Sequence, residues 1–149
     1  MKKIHLLLII ISLIPFLSMA QPTNKNTIVT ESFLQSFADA FNAHDIKAIM
    51  SFMTDDCVFE ASAGGEVNGE KFTGLEKVGK AFAKVFETFP DAHWANARHF
   101  ISGNRGFSEW IFTGTKNDGS KVEVTGCDLF TFKDGKIAIK NSYRKNRIR

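Results

Sequence analysis

Apolar residues recur along this chain with two different periods, and the change from one to the other divides it. Phe33, Leu34, Phe37 and Phe41 fall at helical spacing, with Thr30 placed to cap the first turn. His44-Asp45 interrupts them; Asp45 can cap a new turn, and Ile46, Ile49, Phe52 and Met53 make a second short stripe. Cys57 to Ala61 alternates with period two and reads as a strand running into a loop that contains Gly64, Gly65 and Gly69. Thr73-Gly74-Leu75-Glu76 has capping-box spacing, and Leu75, Val78, Phe82, Val85, Phe86 and Phe89 predict an amphipathic helix that Pro90 ends. Beyond it, strand-length segments alternate with turn signals at 102–106, at 117–119 and at Asp134-Gly135, the last suited to a two-residue hairpin. The order is helix, helix, strand, loop, long helix and a four-stranded meander. This is an α+β chain whose strongly twisted, mostly antiparallel sheet can wrap three N-terminal helices and leave a cone open at one end.

One position breaks the pattern. Every second residue backwards from Phe132 gives Phe130, Asp128, Gly126, Val124 and Val122, a face that is apolar except at Asp128. A carboxylate there needs a partner or a function.

The first residues carry a different signal. Lys2 and Lys3 precede an apolar run from Ile4 to Leu17, and Ser18-Met19-Ala20 has the form of a signal-peptidase site, so export is expected with residues 1–20 removed. The run is too short for the ~20 apolar residues of a membrane span, and Pro15 interrupts it. Stable membrane insertion after cleavage is not expected. A polar leader, 21–29, then precedes one domain over 30–145 and a basic tail at 146–149. Cleavage takes only Lys2 and Lys3 from the charged residues and leaves 17 basic against 16 acidic side chains. The basic excess is local to the C-terminus and no nucleic-acid motif accompanies it. No CxxC or Cys/His spacing suggests zinc, and neither a metal nor an organic cofactor is implied.

Three pieces of the chain carry a family resemblance: Phe41-Asn42-Ala43-His44-Asp45-Ile46, Asp55-Asp56-Cys57-Val58-Phe59-Glu60, and Asp128-Leu129-Phe130-Thr131-Phe132 before Asp134-Gly135-Lys136-Ile137. In this order, around a helix, they resemble the nuclear transport factor 2-like superfamily, in its SnoaL-like and ketosteroid-isomerase-like branch, over Phe33 to Arg144. The resemblance implies the cone-shaped fold and a pocket, on a scaffold that hosts isomerases, cyclases, dehydratases, epoxide hydrolases and non-catalytic members. Of the isomerase site, the general base falls on Ala61 and the oxyanion-hole Tyr on Phe37. The protonated Asp matches Asp128. The limonene-epoxide-hydrolase positions for Arg, Asp and Asp fall on Glu109, Ile111 and Ser142. Both catalytic sets are incomplete. SnoaL-like cyclases also rely on a pocket acid, a role open to Asp128.

The strand order implied by the resemblance sets the last strand beside that of Asp128, with Ala138, Lys140, Ser142 and Arg144 toward the pocket. The alternation alone would instead turn Ile137, Ile139 and Tyr143 inward. Two readings of Asp128 stay open. In one it is a general acid or base, with Lys140 or Arg144 stabilising an oxyanion and Glu109 as a second carboxylate. In the other these groups form a buried ion-pair network. Of Arg98 and His99, which face opposite ways, His99 could carry a proton. Phe37, Phe41, Phe59, Ala61, Phe82, Phe86, Trp94, His99 and Ser142 are the expected pocket lining, although aromatic residues at helical spacing also build cores. Cys57 and Cys127 are expected two strand spacings apart, ~9.6 Å, beyond the ~7 Å limit for a disulfide, as free buried thiols. Trp110, Phe112, Leu129 and Thr131 are expected on an outer sheet face that a second subunit covers, giving a homodimer. The expected ligand is a small, largely apolar molecule, with Asp128-assisted proton transfer of isomerase, cyclase or lyase type. The rival is a non-catalytic module that binds a ligand or a protein.

Overall fold

A computed structural model describes residues 28–147, so the expected signal peptide, the leader up to residue 27 and the last two residues lie outside the described residues. The elements run α1 (Glu31–Asn42), α2 (Ile46–Ser51), β1 (Met53–Glu60), β2 (Lys71–Thr73), α3 (Leu75–Thr88), β3 (His93–Ser102), β4 (Arg105–Thr115), β5 (Lys121–Lys133) and β6 (Lys136–Arg144). The strands form one open sheet in the order β2-β1-β6-β5-β4-β3, antiparallel except where β1 pairs with β6 in parallel. The helices pack on one face of this six-stranded mixed sheet, so the architecture is α+β.

Local chemistry sets the helix starts. Thr30 accepts from the Phe33 amide at 3.3 Å and Asp45 from the Ala48 amide at 2.9 Å, each satisfying a donor that the helix cannot pair. The Thr73 capping box does not form. Thr73 is committed to the β-ladder opposite Val58, and Gly74 starts α3 instead, at φ 85°, a conformation that favours glycine. At the last hairpin, Asp134 and Gly135 both have positive φ, 52° and 76°, as a type I′ turn requires.

Two β-bulges decide which side chains face the helices. In β3, the two residues Asn96 and Ala97 oppose the single Trp110 of β4, so Trp94 and His99, five apart, both turn inward. In β6, Ile137 pairs with Phe132 and Ile139 with Thr131, leaving Ala138 as the extra residue. Ile137 is therefore fully buried, and beyond the bulge Lys140 and Ser142 are also inside, while Tyr143 is half exposed on the far face. The apparent conflict between the aliphatic alternation and the pocket positions is resolved within one strand.

The main core joins α1, α2 and α3 to β1, β5 and β6 through Leu34, Phe37, Ile49, Met53, Val78, Phe82, Phe130 and Ile137. A smaller cluster of Phe89, Ala92 and Phe112 closes the other end. Burying a side chain such as Phe82 contributes about 1.5–3 kcal/mol.

The outer face differs from expectation. Trp110 and Phe112 point inward opposite Gly126 and Val124, while Leu129 and Thr131, alternating with the buried Phe130 and Phe132, point out. Cys57 is buried on the inner side, whereas Cys127 is only partly buried and lines an outer groove. Both thiols are free, and burial pushes the pKa of each up.

Candidate functional site

The Phe41–Asp45 segment positions the cavity before any catalytic group enters. Asn42 donates to the Trp94 carbonyl at 3.1 Å and accepts from the Trp94 amide at 2.8 Å, acting as a strand partner that fixes α1 on β3. His44 donates to the Ala92 carbonyl at 2.8 Å and stacks on Phe86 at 4.2 Å. Phe41 is thereby held 5.2 Å from Trp94 and 4.9 Å from Phe82, each edge to face.

These rings form one end of a cavity of about 820 Å³ between α3 and the inner sheet face. Phe41, Phe59, Phe72, Trp94, Trp110 and Phe112 supply its aromatic wall, and Ala61, Phe82 and Ser142 also line it. Such a volume suits a drug-sized organic molecule.

A four-residue polar cluster sits at the inner sheet wall. Lys140 Nζ donates to Asp128 Oδ1 at 2.6 Å and to Ser142 Oγ at 2.7 Å; Ser142 Oγ donates to the same carboxylate oxygen at 2.5 Å. Trp110 Nε1 donates to Asp128 Oδ2 at 2.9 Å. The register makes this possible by setting Asp128 opposite Ser142 on one side and Ser108 on the other, with Lys140 two pairs further along, opposite Phe130. Gly126 is equally necessary. A Cβ there would meet the Trp110 ring at 2.3 Å, so only glycine lets the indole cross the strand to reach Asp128.

Burial makes the cluster costly unless it is complete. Asp128 is 6% and Lys140 7% exposed, and their mutual charge and shared hydrogen bonds offset the desolvation of both. Lys140 Nζ also lies 5.2 Å from the Phe59 ring and 5.7 Å from that of Phe41. Trp110, Lys140 and Ser142 all donate to the Asp128 carboxylate, so the acid is placed to accept rather than to donate a hydrogen bond. That is opposite to the neutral, donating role implied by the isomerase resemblance.

The structure brings together only part of the expected set. Asp128, Lys140 and Ser142 touch, but Lys140 and Ser142 line the large cavity, whereas Asp128 lines a separate gap of about 30 Å³ behind them. Glu109 is not a second carboxylate beside Asp128. Its side chain faces the other side of the sheet, where it pairs with Arg98 at 2.6 Å, because it sits opposite Cys127 and not Asp128. Arg144 lies at the cavity mouth, exposed and without an ion pair among the described residues. Phe37 and Phe86 pack in or against the core and do not line the large cavity.

His99 is also outside that cavity. It faces the small gap, accepts from Ser108 Oγ at 2.7 Å through Nδ1 and donates to Gln35 Oε1 at 3.2 Å through Nε2, with the Gln35 amide oriented by Asp39 at 2.8 Å. Burial holds its pKa below the ordinary value, against the opposing pull of Glu31 and Asp39.

Sequence reasoning missed Trp110 and the lysines of α3. The first was accessible, since counting outward from the Asn117–Gly119 turn pairs Thr115 with Lys121 and hence Trp110 with Gly126. Lys77, Lys80 and Lys84 line the mouth, but only the apolar stripe of the same helix gave a signal.

The SnoaL-like domain family model matches residues 34–139, most of the chain, from the first helix to the bulged strand. The chain belongs to the SnoaL-like domain family. No curated protein matches it in sequence. Solved structures similar to this SnoaL-like domain include a protein of unknown function with a cystatin-like fold from Xanthomonas campestris, at 21% identity and TM-score 0.70, covering 80% of this chain and 92% of that one. A candidate polyketide cyclase from Xanthomonas campestris pv. campestris shares 17% identity at TM-score 0.69, over 77% and 88% of the two chains. A protein with a ketosteroid isomerase-like fold from Catenulispora acidiphila, solved with trimethylamine, shares 16% identity at TM-score 0.68, over 77% and 86%. At these identities the SnoaL-like domain shares a fold with them. Among its described residues no His, Cys, Asp or Glu trio gathers to hold a metal ion, and no helix is long and apolar enough to cross a membrane.

Proposed function

We propose that this SnoaL-like domain is exported and binds a small, largely apolar molecule in its cavity, with an oxygen acceptor of the ligand seated on Lys140. One observation carries the reading. The aromatic-walled space of about 820 Å³ is also lined by a buried ammonium that has two protein acceptors, Asp128 and Ser142, for its three N–H groups. The trimethylamine complex of one structural neighbour supports the scaffold as a small-molecule binder. The lysine- and serine-bearing wall orients the ligand, while the rings supply burial.

Both tryptophans of the chain, Trp94 and Trp110, line the cavity, so their fluorescence reports its occupancy. Titration with N-phenyl-1-naphthylamine should quench them saturably, and Ala61→Phe, which narrows the space, should weaken the quenching. Linear quenching, or quenching that Ala61→Phe leaves intact, refutes the reading.

A second reading adds proton transfer assisted by Asp128. It is favoured by the continuous short hydrogen bonds that link this carboxylate to Ser142 and Lys140 on the cavity wall. 2-Tetralone, an apolar ketone with exchangeable α-protons, should take up solvent deuterium faster with the wild type than with Asp128→Asn. Equal rates would leave binding alone.

Export rests on the N-terminal pattern, and mature protein recovered from outside the cytoplasm should begin at Gln21. A homodimer through the outer face rests on half-exposed Phe100 and Tyr143 and on the groove beside Phe107 and Ile111. Sedimentation equilibrium finding a monomer would remove that proposal.

A further inference from the structure

The two polar regions of the cavity carry different charge, and this specifies the ligand further. At the inner wall the Lys140 ammonium is balanced by Asp128, so an anion placed there would be buried without a counter-charge. That wall suits a neutral oxygen. The mouth is different: Lys77, Lys80, Lys84 and Arg144 line it against the single carboxylate of Glu70.

Spacings of three and four place the three lysines on one face of α3, above the apolar wall of Ala81 and Val85. Lys80 and Lys84 are paired with Glu76 at 2.6 Å and Glu87 at 3.0 Å, but all four side chains are mostly exposed and neither glutamate lines the cavity. Exposed pairs of this kind hold their partners weakly, so both ammonium groups can turn toward a guest. Lys77 and Arg144 are in no ion pair among the described residues.

We infer that the ligand is an organic acid: an apolar, ring-bearing body with a neutral oxygen toward Lys140 and one carboxylate or sulfonate held between the α3 lysines and Arg144. This rests on the proposed binding cavity and adds the anionic group.

Two probes with the same ring system separate the claims. 1-Anilinonaphthalene-8-sulfonate carries a sulfonate, and N-phenyl-1-naphthylamine lacks it. Each is titrated into the full mature chain and followed by energy transfer from the tryptophans. The sulfonate should bind about tenfold more tightly, the scale of one partly desolvated ion pair. The gap should close as added salt shortens the Debye length from about 30 Å to about 3 Å. Lys77→Gln/Lys80→Gln/Lys84→Gln/Arg144→Gln, all at exposed positions, should bring the two affinities together while the melting temperature stays near that of the parent. If neither probe binds, the cavity reading itself fails. Equal affinities for the two probes leave the cavity standing and overturn the anionic group. A preference for the sulfonate that survives the fourfold substitution overturns the assigned mouth.

Discussion

Replacing Lys140 by Met keeps the length of the side chain and removes its charge, leaving Asp128 nine-tenths buried with only Ser142 and Trp110 as donors. Removing one partner of a buried ion pair costs about 3–5 kcal/mol. The two surviving donors put Lys140→Met at the lower end, about 3 kcal/mol. Asp128→Asn strands the ammonium instead and should cost about the same, because the Phe41 and Phe59 rings replace only part of the lost charge. A domain of this size has about 6–18 kcal/mol in total, so both variants still fold. The double variant contains neither charge. It should cost about 1–2 kcal/mol, and the cycle should return a coupling of about 4–5 kcal/mol. Urea unfolding, followed by tryptophan fluorescence and by far-ultraviolet circular dichroism, measures all four proteins. The single variants should melt about 10 °C below the parent. Additive costs, or single-variant losses below about 1 kcal/mol, would show that the pair is not the desolvated, interdependent unit described above.

Other expectations follow from the same geometry. Gly126→Ala pushes a methyl group into the Trp110 ring, so it should cost about 1–3 kcal/mol and shift the tryptophan emission as the indole leaves Asp128; an unchanged spectrum contradicts the contact. His99 titrates below its ordinary value when folded, so the unfolded chain binds more protons. The stability this contributes is complete above the unfolded pKa, near 6.5, and is lost as pH falls from there through the folded value. His99→Gln should therefore flatten the fall in melting temperature across that window, and an unaltered slope refutes it. Cys127 should alkylate before Cys57, which is fully buried, and both slowly at neutral pH because burial raises their pKa; intact mass without reductant should show two free thiols.

Much of the fold was legible because the hydrophobic period and the turn residues agree with it. Thr30, Asp45 and Asp134-Gly135 mark element ends that the backbone confirms. Asp128 stood out as a charge on an apolar face, and the strand order implied by the family resemblance offered Lys140 or Arg144 as its partner; Lys140 pairs with it, and Ser142, expected only as pocket lining, joins them. What failed was side-chain facing: Trp110 and Phe112, expected outside, turn inward because the unbroken β4–β5 register sets them opposite Gly126 and Val124. Bulges in β3 and β6 shift the alternation, and a period-two count cannot register an inserted residue that the opposite strand alone reveals. Thr73 misled for a related reason: a capping-box spacing says nothing about a residue already held in a ladder with Val58.

The bulge at Ala138 has a wider consequence for the scaffold. It splits one nine-residue strand into two reading frames, a base segment in which Ile137 seals the core and an upper segment in which positions 140, 142 and 144 face the guest. Chemistry on the upper segment can be rewritten without disturbing the hydrophobic alternation below it. A single accommodated alanine thus separates the apolar seal of the core from the polar residues that line the cavity.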